Sequence, residues 1–497
     1  MTDFDVCVLG AGPAGFATAM RAWDFGLSVC LVERGRLGGA GLHDGALSSK
    51  TLWELSRDYR RALATDRGYR ATNVELDYDA VCRCVSDAVA SKTEQLQRQL
   101  DELGRCESDD GGRVTLVEGE ARFLDPQRVA VSKGGETREI SARNFVIATG
   151  SRPRELPDVV VDGERILTSD HIMHLGRFPK SLVIVGAGVV GCEFATVFAN
   201  FGRTKVYLID RAERILPFED DDVARVCARN LEARGVVVHR RARLVSMRRQ
   251  GDGVEYVIEY PTGGRETLTV ECALISIGRV PNLESLGLEQ AGVVLDERQH
   301  IADTDTRTSA PHIYAVGDVT LDVALVNVGE IEGRHVAEKI AGVARGSLSY
   351  ENLSTIMFLD PEVAAIGHNE QSAQRERIAY RVAVYAYDLV NRAIAMRATD
   401  GFIKLLVTDD DEMRILGMRA LGAHASTTLE AVSLMMNLGR SVRDLAELLH
   451  PHPAMTEALQ DCARMLVGTS ICKPHVFTSE LRLARVGYSM LPPAPQD

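Results

Sequence analysis

The sequence predicts an α/β fold in which two parallel-sheet units open in the same way and an α+β segment follows them. Two glycine-patterned strand–turn–helix segments carry the prediction, DVCVLGAGPAGFATAM at residues 5–20 and LVIVGAGVVGCEFATV at 182–197. Each unit is later closed by an apolar strand that runs into glycine, FVIATG (145–150) and ALISIG (273–278). From about residue 350 the pattern changes to alternating strands and amphipathic helices.

Length, charge and cysteine spacing narrow the class of protein. The 497 residues exceed one hydrophobic core and predict roughly three domains. A net charge of −13 and a pI near 5.5 argue against nucleic acid as the partner and favour a small molecule. No apolar run is long enough to span a membrane, and MTDFDVCVLG lacks the features of a signal peptide, so we expect a cytoplasmic protein. The ten cysteines are scattered without a metal-binding spacing, so we expect reduced thiols and no metal site.

The two glycine patterns have the spacing of a Rossmann-like dinucleotide-binding turn. In this pattern the first glycine permits the turn, the second lets the backbone approach a pyrophosphate, and the third lets the helix pack on the strand. The N-terminus of the following helix then faces the phosphate charge. The predicted cofactor-binding glycines are Gly10, Gly12 and Gly15 in the first unit and Gly186, Gly188 and Gly191 in the second.

Each turn is followed about twenty residues later by an acidic residue at the end of a second apolar strand. SVCLVE ends in Glu33 and KVYLID ends in Asp210. Both carboxylates are predicted to accept hydrogen bonds from an adenosine ribose, although capping of a solvated strand end is the alternative. Arg211 and Arg214 follow Asp210 closely and could serve a 2′-phosphate. Asp210 favours NADH over NADPH, and the two arginines leave NADPH open.

Six motifs in a fixed order resemble those of a known family. They are GAGPAG, ATGSRP (148–153), GAGVVG, GRVPN (278–282), YAVGD (314–318) and HPHPAMTE (450–457). Over roughly residues 4–470 the chain resembles the pyridine nucleotide-disulfide oxidoreductases, which include dihydrolipoamide dehydrogenase and the soluble pyridine nucleotide transhydrogenase.

The resemblance implies a domain organisation and a homodimer whose active site is shared between subunits. An FAD-binding domain would comprise residues 1–152 and 279–348, and an NAD(P)-binding domain residues 153–278, each with a β-meander. A dimerisation domain would follow at 349–475, and a C-terminal tail at 476–497.

The resemblance also implies the roles of further residues. Asp318 would reach the ribityl chain of FAD, and the backbone near Ala121 would lie beside the adenine. The closing strands would contribute Thr149 and Gly150 to the first site and Gly278 and Arg279 to the second.

Four side chains would lie at the flavin ring in this family. Lys50, in SSKTL, would lie under the ring and pair with Glu193, unless it is a surface lysine at a helix start. His452 would reach the partner subunit's flavin site, with Glu457 orienting its ring. An imidazole exchanges a proton near neutral pH, which suits this role. The alternative is that His450 and His452 are packing histidines.

One departure from the family changes the predicted chemistry. Its disulfide reductases carry two cysteines separated by four residues before the lysine, where this chain reads GGAGLHDGALSSK (38–50) with Gly41 and Ala46 at those positions. Cys7 and Cys30 fall in apolar strands and are expected to be inert core thiols. An internal dithiol relay is therefore not expected.

The sequence thus predicts an FAD-dependent NAD(P)H oxidoreductase that passes electrons to a non-disulfide acceptor. A second pyridine nucleotide, a quinone or another small oxidant are the leading candidates, and the transhydrogenase branch already tolerates an incomplete cysteine pair. Two alternatives stay open. One is a thiol-linked reductase that uses Cys472 or a partner protein's thiols, and the other is a non-catalytic FAD- and NAD-binding sensor or scaffold subunit.

Overall fold

The computed structural model describes residues 2–105, 111–320 and 323–488. The chain divides into two compact units. The first comprises Met1–Val185, Val245–Val257 and Glu266–Leu348, and the second comprises Gly186–Leu244, Ile258–Arg265 and Ser349–Asp497. The division at Val185 falls inside the segment predicted as the NAD(P)-binding domain, and the predicted domain boundaries stay a prediction.

The helices follow in chain order: α1 (Pro13–Asp24), α2 (Gly39–Leu42), α3 (Ala46–Ala62), α4 (Tyr78–Arg105), α5 (Ser169–Ile172), α6 (Val189–Phe201), α7 (Asp221–Ala233), α8 (Leu288–Ala291), α9 (Val326–Ile340), α10 (Glu370–Arg375), α11 (Asn391–Met396), α12 (Leu429–Asn437), α13 (Val442–Ala446) and α14 (Thr456–Val467). Within the described ranges, no helix is both long enough and apolar enough to cross a membrane.

The strands follow in chain order: β1 (Phe4–Leu9), β2 (Ser28–Glu33), β3 (Arg113–Glu118), β4 (Glu120–Asp125), β5 (Arg128–Lys133), β6 (Glu136–Ile147), β7 (Ser151–Pro153), β8 (Ile166–Thr168), β9 (Ser181–Val185), β10 (Lys205–Ile209), β11 (Val237–His239), β12 (Arg243–Gln250), β13 (Gly253–Glu259), β14 (Arg265–Val270), β15 (Cys272–Ile275), β16 (Arg279–Pro281), β17 (Asp303–Thr304), β18 (Arg307–Thr308), β19 (Ile313–Ala315), β20 (Ser354–Met357), β21 (Val363–Gly367), β22 (Tyr380–Ala386), β23 (Phe402–Thr408), β24 (Ile415–Leu421) and β25 (Leu481–Val486).

The first unit is built on a large sheet with a parallel centre. Its main order is β17-β18-β19-β6-β1-β2-β3, and β1 runs parallel to both β2 and β6. Strand β1 is apolar on both faces, and Val6 to Leu9 are buried, as a parallel strand covered on both sides requires. Strands β4 and β5 pair antiparallel, and β5 pairs antiparallel with the first half of β6, which confirms the predicted meander.

Helices α1 and α9 approach each other closely through glycine. A Cβ placed on Gly333 of α9 would lie 2.3 Å from the Ala14 carbonyl oxygen of α1, so only glycine fits there. The preceding residue, the buried Glu332, accepts a hydrogen bond of 2.5 Å from the Gly317 amide. This contact fixes the backbone between β19 and Asp318.

The second unit contains an antiparallel sheet in the order β20-β21-β24-β23-β22-β25. Its core residues come from this sheet and from helices α12, α13 and α14. Strand β25 lies within the segment predicted as a tail, and Leu481 to Val486 pair with β22. The predicted tail is therefore partly a strand, while its final PPAPQD lies outside the described residues.

A buried lysine holds three carboxylates together in the second unit. Lys404 on β23 is 1% exposed, and its Nζ lies 2.6 Å from Asp220 Oδ1, 2.6 Å from Asp222 Oδ2 and 2.7 Å from Glu370 Oε1. Arg482 on β25 adds a second cation, with Nη2 3.1 Å from Asp222 Oδ2 and paired with Glu370. Burial alone would lower the pKa of Lys404, but the surrounding carboxylates outweigh it and raise that pKa. The start of α7 is thereby tied to the sheet.

We expect Lys404→Met to lower the free energy of unfolding by about 3–5 kcal/mol, because buried carboxylates lose their compensating cation. Denaturant unfolding of the purified chain measures this loss. Lys92→Met, which removes an exposed lysine of α4, is the control and should change stability by less than about 0.5 kcal/mol. Equal stability of the two variants would contradict the prediction.

Candidate functional site

The first glycine turn has the steric form that dinucleotide binding requires. Gly10 has φ +109°, and a Cβ there would lie 2.3 Å from the Ala148 carbonyl oxygen. A Cβ on Gly15 would lie 1.9 Å from the Gly10 carbonyl oxygen. Gly12, just before α1, has no atom within 4 Å of its Cβ position. Gly10 and Gly15 are thus needed for packing. Gly12 faces open space at a helix N-terminus, which fits a pyrophosphate.

The second turn repeats this arrangement. Gly186 has φ +102°, Gly188 immediately precedes α6, and Gly191 is buried in the first turn of that helix. The Cβ position of Gly188 is again open for 4 Å around. The predicted duplication therefore holds in backbone conformation as well as in sequence.

The two predicted ribose carboxylates are held in the same way. Glu33 accepts hydrogen bonds of 2.7 Å from the Ala11 amide at Oε2 and from the Gly35 amide at Oε1. Asp210 accepts hydrogen bonds of 2.7 Å from the Ala187 amide at Oδ2 and the Ala212 amide at Oδ1. Each oxygen retains a lone pair for a ribose hydroxyl. Both carboxylates also tie the turn to the adjacent strand end.

A polar cavity of about 430 Å³ opens beside Glu33. Its lining comes from residues 33–35, residues 118–120, Ser132 and Lys133. Ala121 follows directly in β4, with its side chain buried in the core and its backbone next to this lining. The position suits the adenosine end of a dinucleotide, as the family resemblance predicted for Ala121.

Asp318 forms a polar cluster with Ser151 and Arg279, of which Ser151 was not predicted from the sequence. Ser151 Oγ donates a hydrogen bond of 2.5 Å to Asp318 Oδ2 and accepts one of 2.7 Å from Arg279 Nε. Arg279 Nε itself is 4.0 Å from Asp318 Oδ2. Ser151 stands in the quoted ATGSRP motif, but its bridging role depends on contacts more than a hundred residues away along the chain.

The closing segments of the two predicted sites meet in an antiparallel pair formed by β7 and β16. Thr149 Oγ1 donates to the Asn282 carbonyl at 2.7 Å, and the Asn282 side-chain amide donates to the Thr149 carbonyl at 3.0 Å. Gly150 and Gly278 have φ +68° and +107°, conformations that favour glycine. The structure thus brings Thr149, Gly150, Gly278 and Arg279 together.

Lys50 and Glu193 lie in different compact units. Lys50 is half-buried on α3, and Glu193 is buried on α6 with Oε1 accepting a hydrogen bond of 2.9 Å from the Phe358 amide. Their pairing beside the flavin stays a prediction.

The predicted His452–Glu457 contact is present. His452 Nδ1 lies 2.8 Å from Glu457 Oε1, and Glu457 Oε2 accepts a hydrogen bond of 2.8 Å from the Ala454 amide. Burial alone would raise the pKa of Glu457, but these hydrogen bonds lower it, so the carboxylate is ionised. Because a carboxylate only accepts hydrogen bonds, Nδ1 carries the donated proton and Nε2 is the nitrogen left to exchange one. The His452 side chain is 62% exposed, which suits a proton-exchanging group.

The neighbouring His450 has a different environment. Its Nδ1 lies 3.3 Å from Thr456 Oγ1, and the ring is largely covered. Burial, with a smaller effect of Arg464, lowers the pKa of His450 and favours the neutral ring. The structure therefore separates the two histidines, with His450 in a packing position.

The segment without cysteines folds into α2 and the start of α3. A Cβ on Gly41 would lie 2.5 Å from Pro13 Cγ, so a side chain at this position requires α2 or Pro13 to move. Ala46 is the first residue of α3. Cys7 and Cys30 are paired in register on β1 and β2 and fully buried, and their mutual hydrogen bond and burial raise the pKa of Cys7. These thiols are core residues, as predicted.

We expect substitution of the two open glycines to separate the two nucleotide sites. Gly12→Val should leave a folded chain with little bound FAD, because its side chain occupies the space of the pyrophosphate and its Cβ has no protein neighbour within 4 Å. Gly188→Val should retain FAD and lose affinity for the nicotinamide nucleotide. Flavin content, circular dichroism and nucleotide titration measure these effects, and loss of FAD from Gly188→Val alone would contradict the assignment.

Comparison with known proteins identifies the family. The model of the pyridine nucleotide-disulphide oxidoreductase family matches residues 4–341, and the model of its dimerisation domain matches residues 353–463. Dihydrolipoyl dehydrogenase of Geobacillus stearothermophilus is 35% identical over 478 residues, which cover 96% of this chain and 98% of that protein. The corresponding protein of Bacillus subtilis (strain 168) is 33% identical over 472 residues, covering 94% and 97%.

Two solved structures are similar throughout. LpdA from Mycobacterium tuberculosis has a TM-score of 0.84 at 28% identity, covering 94% of this chain and all of that one. The Cu(II) complex of the HOCl-induced flavoprotein disulfide reductase RclA from Escherichia coli has a TM-score of 0.84 at 25% identity, with the same coverage. The resemblance and the predicted α/β fold with FAD, NAD(P) and dimerisation domains are confirmed. The chain belongs to the pyridine nucleotide-disulphide oxidoreductase family, as a dihydrolipoyl dehydrogenase-like oxidoreductase that uses FAD and NAD(H).

Proposed function

We propose that this chain oxidises NAD(P)H and delivers the electrons, through FAD, to an acceptor that is not a disulfide. The observation that carries the proposal is the segment GGAGLHDGALSSK, in which Gly41 and Ala46 occupy the positions of the family's two cysteines. No cysteine lies between Cys30 and Cys82. With a quinone as acceptor, NAD(P)H plus a proton plus the quinone gives NAD(P)⁺ and the quinol. With a second pyridine nucleotide as acceptor, a hydride passes from the reduced to the oxidised nucleotide and no net proton is taken up. A quinone, a second pyridine nucleotide or another small two-electron oxidant is therefore a candidate acceptor.

The residues that would hold the cofactors form two matching sets. FAD would lie on the turn of Gly12 with Glu33 at its ribose and Asp318 at its ribityl chain. NAD(P)H would lie on the turn of Gly188 with Asp210 at its ribose. Bound FAD supplies the ability to accept a hydride from the reduced nicotinamide and to pass two electrons on.

His452 is the proposed proton donor, reaching the flavin site of the partner subunit in a homodimer. Glu457 holds the ring through Nδ1, which orients Nε2 and stabilises the imidazolium. Because hydride transfer brings two electrons and one proton, a quinone acceptor needs one more proton, and Nε2 would supply it. A pyridine nucleotide acceptor takes a hydride alone and would not need His452.

Lys50 and Glu193 are proposed to set the charge beside the flavin. A cation under the ring favours the reduced, anionic form, and a buried carboxylate partner keeps that cation ionised. Glu193 is already oriented by the Phe358 amide, which is consistent with a fixed acid in this position.

Cys472 gives little support to the thiol-linked alternative. Its sulfur accepts a hydrogen bond of 3.3 Å from Tyr385 Oη, and it packs against the core of the second unit. A redox thiol would need to leave this contact, and a single sulfur does not form the disulfide of the family's relay.

The proposal is tested by anaerobic mixing of the FAD-loaded chain with NADH and with NADPH, followed by a panel of acceptors. We expect flavin reduction by at least one nucleotide, turnover with thio-NAD or a quinone, and no turnover with oxidised lipoamide or glutathione disulfide. Catalytic lipoamide reduction by a sample free of contaminating enzyme would contradict the proposal. Tight FAD binding with no reduction by either nucleotide would favour a non-catalytic sensor instead.

We expect His452→Gln to slow quinone reduction by about a hundredfold while leaving flavin reduction by NADH unchanged, since proton transfer is required only in the second half-reaction. Glu457→Gln should have a smaller effect in the same direction. His450→Gln is the matched control, and stopped-flow measurement separates the half-reactions. An equal loss with ferricyanide, which takes electrons without protons, would contradict a proton-donating role for His452.

A further inference from the structure

The arginines near Asp210 bear on whether the second nucleotide site can bind a 2′-phosphate. Arg214, one of two arginines left open by the sequence, already has three partners. Its Nη1 donates to the Glu219 carbonyl at 2.8 Å and lies 2.7 Å from Asp221 Oδ1. Its Nη2 donates to the Pro217 carbonyl at 3.0 Å. The guanidinium therefore stabilises its own loop, and these donors are already occupied by protein groups.

The loop that Arg214 braces is itself anchored by buried ion pairs. Glu219 Oε1 accepts a hydrogen bond of 2.5 Å from Arg419 Nε, and both side chains are buried. Asp220 is fully buried against Lys404. Moving this loop to release Arg214 would expose or unpair these charges, which is costly. The position of Arg214 is therefore set by the surrounding structure, and its exposed partner Asp221 balances its charge.

Another arginine, Arg241, is also held beside Asp210, although it lies about thirty residues later in the chain. Its amide donates to the Ala212 carbonyl at 2.9 Å, which places it along the segment that follows Asp210. Its guanidinium is paired with Glu213. Together Asp210, Glu213 and Asp221 balance Arg211, Arg214 and Arg241, so this segment carries no surplus of positive charge.

The arginines farther along this segment are also paired with carboxylates. Arg240 Nη1 lies 2.7 Å from Glu232 Oε1, and Arg243 Nη2 lies 2.6 Å from Glu259 Oε2. A nucleotide 2′-phosphate would bring close to two further negative charges next to the Asp210 carboxylate. Its recognition depends on arginines whose donors are available.

We propose that Glu213 and Asp221 determine nucleotide specificity in this chain by engaging Arg241 and Arg214, so that the site accepts NADH and rejects 2′-phosphorylated nucleotides. The rejection combines the negative charge of Asp210 with two arginines, Arg214 and Arg241, that are already paired with carboxylates. This inference rests on the proposed function, because it assumes that the second glycine turn binds the nicotinamide nucleotide.

The test uses the FAD-loaded chain and two probes, 5′-AMP and adenosine 2′,5′-bisphosphate, in titration calorimetry. The variant Glu213→Gln/Asp221→Asn removes both acidic partners and leaves the buried Asp222 contact with Lys404 in place. We expect the variant to bind the bisphosphate about tenfold more tightly than the parent does, since the positive charges of Arg214 and Arg241 are then no longer balanced by carboxylates. Its affinity for 5′-AMP should change by less than about twofold, because neither substituted side chain supports Asp210. The gain should fall with added salt.

The substituted side chains are exposed, 75% for Glu213 and 63% for Asp221, so folding should not limit the experiment. Glu412→Gln is the matched control, since it breaks the exposed Arg414–Glu412 pair on the hairpin between β23 and β24. It should leave both affinities unchanged. An unchanged ratio of affinities in the double variant, or a parent chain that already prefers the bisphosphate, would overturn the inference. Failure of every form to bind either probe would overturn the proposed nucleotide site, and the inference with it.

Discussion

The hydrogen bond that the amide after the first glycine donates to a strand-end carboxylate is the contact on which both nucleotide sites depend. Glu33 forms it with Ala11, and Asp210 forms it with Ala187. Because the glycine lies in a region of φ that other residues avoid, the turn would otherwise be a weak point of the backbone. The carboxylate joins the turn, the second strand and the helix N-terminus into one unit. The same group that would meet the ribose therefore also shapes the place where the phosphates would lie.

Gly41 and Ala46 stand in the segment before Lys50, and three groups of contacts outside this segment bear on the proposed function. The glycine turns, the Asp318 cluster and the His452–Glu457 contact are all formed. In the family's disulfide reductases the two thiols carry electrons from the flavin to the disulfide substrate. Under the proposed function no such intermediate carrier exists, so the acceptor must come close to the ring itself. Gly41, packed against the Pro13 ring, fits a loop that has adapted to the absence of a side chain there.

The sequence predicted the parts of the site that depend on local rules. Turn glycines and strand-end acids occur at fixed spacings because they act within one strand–turn–helix segment, and the structure has them where they were predicted. Ser151 was missed because its partner Asp318 lies 167 residues away in the chain. Glu332 was missed because its contact with the Gly317 backbone amide follows no residue-type pattern. The pairing of Lys50 with Glu193 and the ligand contact of Ala121 stay predictions.

Two features of the second unit show the same limit. The cluster around Lys404 draws on residues from four separate segments, and no spacing in the sequence indicates that they meet. The strand LRLARV was included in a predicted tail because a short edge strand is specified mainly by its neighbour. Its pairing with β22 is a property of that neighbour as much as of its own residues.

The location of Arg482 on β25 has a consequence for the order of folding. Asp220, Asp222, Glu370 and Lys404 all precede it in the chain, so a nascent chain that lacks β25 has three carboxylates around one lysine. The second cation of this cluster arrives only when β25 has been synthesised and has paired with β22. The antiparallel sheet of the second unit therefore reaches its native charge balance later than the sheet of the first unit can form.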